Sequence, residues 1–159
     1  MYGNKKIKLD GLSQVELQNK IRNSALGSVG MREHSVAELQ RKLVQKFETS
    51  ELILEVLDWL LDLGYLNDCR FAEIFVRTSI IKGRGPVRIR QELQQKGVAQ
   101  KYIAQAIHEA EVDWQQQAAA VLARKFRSEP ADQKERAKQM RFLQSRGYCP
   151  NHIYPLFKS

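Results

Sequence analysis

Lys82, Arg84, Arg88 and Arg90 crowd one short stretch, around a Gly83-Arg84-Gly85-Pro86 turn and the start of the segment after it. Phosphate oxygens or a negatively charged protein groove would suit these cations, because guanidinium forks and counterion release both favour such contacts. Glu92 is the one nearby carboxylate that offsets them. Arg70 and Arg77 come just before the cluster, and Arg32, Arg41, Lys42 and Lys46 make a comparable set earlier in the chain. A plainer role competes with binding for each cation. Glu38 with Lys42, and Glu92 with Lys96, have the i,i+4 spacing of pairs that simply solvate a helix.

Other reactive residues form no recognisable site. His34, His108 and His152 stand apart from Cys69 and Cys149 with no zinc-type spacing, and read as surface or packing residues. The glycine turn lacks the lysine and spacing of a nucleotide-binding loop. Asp10, Asp58, Asp62, Asp68 and Asp113 fall at helix ends or on polar faces, where carboxylates cap amides or pair with cations. No two-carboxylate active site is suggested. The expectation is a protein that is not an enzyme and takes no metal or cofactor. Few aromatics interleave with the cations, so base-specific reading is not expected. Trp59, beside the apolar row of its helix, and Trp114 read as packing residues.

The elements that must position these residues are helices. Apolar residues recur at three- and four-residue spacing nearly from end to end. Ser13 with Glu16, and Ser35 with Glu38, are capping-box signatures. Val36, Leu39, Leu43 and Phe47 line the helix after Ser35; Ile53, Val56, Leu57 and Leu60 line one begun by Thr49 or Ser50. Gly64 suits a left-handed helix end, with Tyr65 or Leu66 folding back over the last turn. Asn67 and Asp68 cap a helix bearing Phe71, Phe75 and Val76, which Gly83 and Gly85 break. Pro86 fits a first helical position. Ile89 and Leu93 lead on to Gly97, and Ile103, Ala106 and Ile107 mark a further helix. Asp113 caps an alanine-rich one reaching Phe126, Ser128 to Asp132 forms a loop, and two helices follow it, the last opened by Pro150.

A shift of 50 residues superposes this pattern on itself: Ile21, Phe71 and Val121 align, as do Leu43, Leu93 and Leu143. That shift is about 14 helical turns, so some coincidence is built in. The breakers decide: Gly97 and Gly147 align after Lys96 and Arg146, and Gly85 aligns with the cap Ser35. The predicted fold is all-α, three tandem three-helix repeats at residues 13–66, 67–112 and 113–159, after a mobile basic N-terminal arm at residues 1–12. Small trihelical units cannot bury their apolar faces alone, so an elongated, curved array is expected.

Composition agrees. The 159 residues are 43 % hydrophobic and 28 % charged, and 26 Lys and Arg against 18 Asp and Glu give a net charge of +8. Such an excess attracts polyanions or acidic proteins. No apolar run approaches a membrane span. Lys5, Lys6 and Lys8 lack the apolar run of a signal peptide. Two cysteines are too few for a disulfide scaffold and fit reduced, buried thiols in a cytoplasmic protein.

Several of these motifs carry a family resemblance. The run from Arg32, Glu33, His34 and Ser35 through Glu38 and Leu39 to Lys42 and Leu43 resembles the first-repeat signature of the RecX regulatory proteins. Leu63, Gly64, Tyr65, Leu66, Asn67 and Asp68, followed by Arg70, Phe71 and Ala72, are similar too, with Asn67 where the family more often has aspartate. Lys82 to Pro86 with Ile89, Glu92, Leu93, Lys96 and Gly97 resembles the second repeat. Arg141, Phe142 and Leu143 with Arg146, Gly147 and Tyr148 resemble the third. The resemblance runs from about Ile21 to Phe157. It implies a non-enzymatic, cytoplasmic, monomeric modulator, mainly an inhibitor, of RecA in DNA repair, recombination and the SOS response. Members lie in the groove of the RecA–single-stranded-DNA filament, where they restrain its extension, ATP hydrolysis, strand exchange and coprotease activity. DNA alone would be bound weakly and without sequence preference. Lys82, Arg84, Arg88 and Arg90 are then the leading contact candidates, with Arg32, Lys42 and Lys46 the equivalent first-repeat surface, and Arg70 and Arg77 beside them. Two rival readings remain at this level: a helix-turn-helix DNA-binding protein acting without RecA, and a helical adaptor that binds only protein.

Overall fold

The computed structural model describes residues 11–48 and 50–157, with the side chain of Ser50 left aside. Most of the expected basic arm, including Lys5, Lys6, Lys8 and Asp10, lies outside the described residues, as does Thr49. Among the described residues every regular element is helical. In order they are α1 (Gln14–Met31), α2 (Val36–Phe47), α3 (Ser50–Asp62), α4 (Asp68–Ile81), α5 (Pro86–Gln95), α6 (Gln100–Glu109), α7 (Trp114–Lys125), α8 (Gln133–Ser145) and α9 (Pro150–Ile153), closed by a 3-10 turn at Tyr154–Phe157. The chain divides into two compact units. One runs through Phe71 and takes in Lys96–Val98; the other comprises Ala72–Gln95 and the chain from Ala99 on.

The first unit closes α1, α2 and α3 around one core. Ile21, Ala25, Leu39, Leu43, Phe47, Ile53, Val56 and Leu60 are fully buried there. Local chemistry starts the helices. The Ser13 hydroxyl accepts the Glu16 amide at 3.2 Å, and Ser35 and Glu38 complete a reciprocal capping box. At the end of α3 Gly64 is left-handed (φ +79°), and the amides of Tyr65 and Leu66 both reach the Leu60 carbonyl. Leu66 is the residue that folds back, being buried while Tyr65 stays exposed. The expected double cap of α4 is divided between two helices. Asn67 accepts the Arg70 amide of α4, whereas Asp68 reaches across to accept the Val36 amide of α2 at 2.9 Å.

His34 lies buried at the entrance to α2. Its Nδ1 is 3.0 Å from the Arg32 carbonyl, an acceptor only, so Nδ1 carries the proton and donates it. Burial pushes its pKa below the ordinary 6.5. As pH falls through that value the unfolded ring takes up a proton that the folded ring resists, so stability drains away on the acid side. The first unit should lose urea resistance from about pH 7 to about pH 5.5, and His34→Asn, which keeps a donor but cannot titrate, should flatten that slope. Equal slopes in the two proteins would contradict this. Of the neighbouring carboxyls, burial raises the pKa of Asp68, whereas the Ser35 amide and the Arg32 and Lys96 side chains hold that of Glu38 down, so the comparison with His34→Asn isolates the ring's share of the slope.

The second unit has a core of Ala118, Val121, Leu143, Tyr148, Ile153 and Phe157, with Trp114, Leu122, Met140 and Phe142 packed on it. Asp113 and Asp132 cap α7 and α8 at 3.1 and 2.8 Å. Gly83 ends α4 with φ +78°, and Pro86 opens α5.

One joint occurs twice. In the first unit the Ser35 hydroxyl donates to the Lys96 carbonyl at 2.6 Å, and Gly97 approaches Ala37 so closely that a Cβ would come within 2.4 Å of Ala37 Cβ. In the second unit the aligned positions repeat it: the Gly85 amide donates to the Arg146 carbonyl at 2.7 Å and the Val87 amide to the Gly147 carbonyl at 2.9 Å. A Cβ on Gly147 would meet Arg88 Cβ at 2.4 Å. The recurrence of glycine at this register therefore has a steric cause. Gly97 lies against the Ala37 methyl group, and Gly147 against the Cβ and amide nitrogen of Arg88, so only hydrogen fits between.

Candidate anion-binding surface

The cations placed together by sequence separate on the folded chain. In the second unit, Lys82 is exposed in the turn after α4. Arg84 and Arg88 converge on one carboxylate: Arg84 Nη1 lies 3.5 Å from Glu92 Oε2, and Arg88 Nε donates to Glu92 Oε1 at 2.8 Å. All three side chains are a quarter to a third exposed. Arg90 is exposed but stands two residues from Arg88, about 200° around the helix, so it faces away from this group. Arg77 is exposed on α4 and lies 3.9 Å from Glu73. One carboxylate thus occupies two of the four clustered cations, and Lys82 and Arg90 stand apart from it.

In the first unit the candidates have diverse occupations. Arg32 donates to the Glu33 carbonyl at 2.8 Å and pairs with Glu38 at 3.2 Å. Lys96 approaches the same Glu38 oxygen at 3.2 Å. Burial alone would raise the Glu38 carboxyl, but the Ser35 amide and the Arg32 and Lys96 side chains outweigh it and hold the pKa below its ordinary value. The expected Glu38–Lys42 pair is therefore replaced by cations from outside the helix, and Lys42 is exposed on α2. Lys46 is half-buried with its ammonium 3.4 Å from the Ser24 hydroxyl. Arg70 has a structural occupation. It donates to the carbonyls of Gly64 (2.9 Å) and Tyr65 (3.3 Å), which lie just past α3, and pairs with Glu33 at 3.0 Å.

Trp59 is half-buried with the Arg22 guanidinium 4.5 Å from its ring centre, a packed cation–π pair and not an open stacking platform. Trp114 packs on the second core. Cys69 and Cys149 are reduced but only half-buried, where buried thiols were expected. Among the described residues no three His, Cys, Asp or Glu side chains group as metal ligands. No helix among them is long and apolar enough to cross a membrane.

Sequence reasoning missed a feature next to the arginine pair. A cleft of about 430 Å³ opens beside Arg88 and Glu92, lined further by Gln91, Gln95, Gln144 and Ser145. The i,i+4 spacing of Gln91 and Gln95 was its only trace in the sequence, and amides at that spacing are commonplace on helices. A larger hollow of about 660 Å³ in the same unit sets Arg127 and Arg136 against Glu129 and Asp132 over Leu122, Phe126 and Leu156. Its charges offset each other, so it offers no field of one sign. The Arg84–Arg88 group with its polar cleft is the better anion site.

The family model described as "RecX, second three-helix domain" matches residues 67–107, and that described as "RecX, third three-helix domain" matches residues 111–156. The chain is 42 % identical over 134 residues to Regulatory protein RecX of Halorhodospira halophila, covering 84 % of this chain and 83 % of that protein. It is 44 % identical to the protein of the same name from Pseudomonas fluorescens over 84 % of this chain and 86 % of that one. With the Cronobacter sakazakii protein of that name the identity is 39 % over 152 residues, 89 % of this chain and 92 % of the relative. The crystal structure of RecX from Lactobacillus salivarius superposes with a TM-score of 0.76 at 22 % identity, over 89 % of this chain and 95 % of that one. That likeness establishes the fold.

Proposed function

The chain belongs to the RecX family, and from that premise we propose that it is a modulator of RecA, mainly an inhibitor, acting by binding and not by catalysis. It lies along the groove of the RecA–single-stranded-DNA filament and restrains extension, ATP hydrolysis, strand exchange and coprotease activity. It acts in the cytoplasm as a monomer, through trihelical repeats at residues 13–66, 67–112 and 113–159. The observation that carries this reading is the concentration of cations at the start of α5 in a chain whose curated relatives are named as regulatory proteins, with no enzymatic name. Lys82, Arg84, Arg88 and Arg90 are the leading contacts, with Arg77 beside them and Arg32, Lys42 and Lys46 as the first-unit counterpart. Arg70 is the weakest candidate, since the carbonyls past α3 already hold it.

A cation cluster of this kind meets phosphate or acidic protein without reading bases, which suits a partner assembled on DNA of any sequence. The test adds the protein to RecA already assembled on single-stranded DNA and follows ATP hydrolysis. Slowing at stoichiometric ratios is expected, together with weak, salt-sensitive binding to DNA alone. No slowing at low or moderate salt removes the proposal. Tight binding to a preferred duplex without RecA supports the helix-turn-helix reading instead.

A further inference from the structure

We infer that Glu92 is a built-in occupant of a phosphodiester site formed by Arg84 and Arg88, and that a nucleic-acid phosphate binds there by displacing it. The inference rests on the reading that the α5 cluster meets nucleic acid, and it identifies both the ligand group and the residue that competes with it.

The geometry is that of a stand-in. The two oxygens of Glu92 are divided between two arginines, Oε1 to Arg88 Nε and Oε2 to Arg84 Nη1. The two non-bridging oxygens of a phosphodiester offer nearly the same spacing and the same single negative charge. Neither arginine holds Glu92 by a two-pronged fork, the strongest form of such a pair. The Arg84 contact is long at 3.5 Å, and the Arg88 contact is made through Nε. The group is partly exposed, which keeps the attraction of the pair modest, so a ligand has little to overcome.

The adjoining cleft supplies room. Its walls carry the amides of Gln91, Gln95 and Gln144 and the Ser145 hydroxyl, and among the described residues Glu92 is the only carboxylate lining it. Neutral donors and acceptors of this kind accept sugar and base edges of any sequence, while the arginines take the charge. A purely structural Glu92 would predict the opposite response to its removal. The helix would weaken, and nothing would be gained in binding.

The deciding experiment measures binding of a fluorescein-labelled oligothymidylate to the full chain by anisotropy across a salt series. Glu92→Gln releases both arginines, and one extra phosphate contact adds about 0.7 to the salt slope and roughly fivefold to affinity at about 0.1 M salt. Glu92→Ala, also a good helix former, should do the same and guards against an effect peculiar to glutamine. Adding Arg84→Gln and Arg88→Gln to the Glu92→Gln protein should erase the gain. Unchanged or weaker binding by folded Glu92→Gln and Glu92→Ala proteins, checked by circular dichroism, overturns the inference. So does a gain confined to RecA filaments and absent on the oligonucleotide, since the displaced anion would then be a protein carboxylate. A gain on the oligonucleotide with no change in the restraint of RecA sustains this site and removes the proposed function from it.

Discussion

Gly85→Ala is expected to lower the melting temperature of the second unit by more than about 12 °C, a large loss for a single added methyl group. The added Cβ would lie 2.4 Å from both the carbonyl carbon and oxygen of Gly147 and 2.5 Å from the Tyr148 nitrogen. These are backbone atoms, so no side chain can swing aside. The segments must part, straining the Gly85 amide bond to Arg146, the Val87 amide bond to Gly147 and the buried Tyr148 hydroxyl bond to Gly83 at 3.1 Å. Overpacking costs about 1–3 kcal/mol, and each weakened bond adds roughly 1 kcal/mol. A total near or above 3 kcal/mol corresponds to that shift at about 4–8 °C per kcal/mol for a unit of this size. Two other glycines calibrate the result by calorimetry. Gly64→Ala meets no atom within 4 Å and suffers only the left-handed backbone penalty, roughly 1–2 kcal/mol. Gly30→Ala, inside α1 with nothing near it, should stabilise by about 0.5–1 kcal/mol. If Gly85→Ala is no worse than Gly64→Ala, the joint is looser than its geometry indicates.

That joint also marks where sequence is informative and where it stops. The positions of Ser35, Gly85, Gly97 and Gly147 were legible because caps and left-handed glycines act within one helical turn. The 50-residue register was legible for the same reason. What the register could not disclose is why it exists: the Ser35–Lys96 and Gly85–Arg146 contacts join residues 61 apart. Ion pairing was misjudged on the same ground. The i,i+4 rule assigned Lys42 to Glu38, but Arg32 and Lys96 reach that carboxylate first, and Lys96 comes from 58 residues along the chain. Asp68 was credited to its own helix and serves the amide of Val36. Arg70 was counted among the candidate contacts and closes the carbonyls past α3. Polar groups at helix ends choose partners by tertiary proximity, which no local spacing encodes. Apolar positions such as Ile53, Val56, Leu57 and Leu60 gave no such trouble, because periodicity alone selects the buried face.

The same distinction sets the order of effects expected at α5. Replacing Arg84, Arg88 and Arg90 together by glutamine should weaken oligothymidylate binding about 5- to 25-fold at about 0.1 M salt and reduce the salt slope by about 0.7 to 1.4, from one phosphate contact at Arg90 and at most one more at the site that Arg84 and Arg88 share with Glu92, at roughly 0.7 each. Reversal to glutamate should weaken it further, but it sets two new carboxylates beside Glu92, so part of its effect is lost stability and the neutral variant is the cleaner probe. Single changes should not be equal. Arg90 is exposed and carries no ion pair among the described residues, so Arg90→Gln alone should cost about fivefold. Arg84→Gln should cost less, because that guanidinium must first leave Glu92 and its loss leaves the carboxylate wholly to Arg88. In the RecA assay the triple variant should need a correspondingly higher concentration to slow ATP hydrolysis. Parent-like restraint by a folded triple variant would show that α5 is not the filament contact. Equal losses from Arg84→Gln and Arg90→Gln would show that Glu92 imposes no competition on its partners.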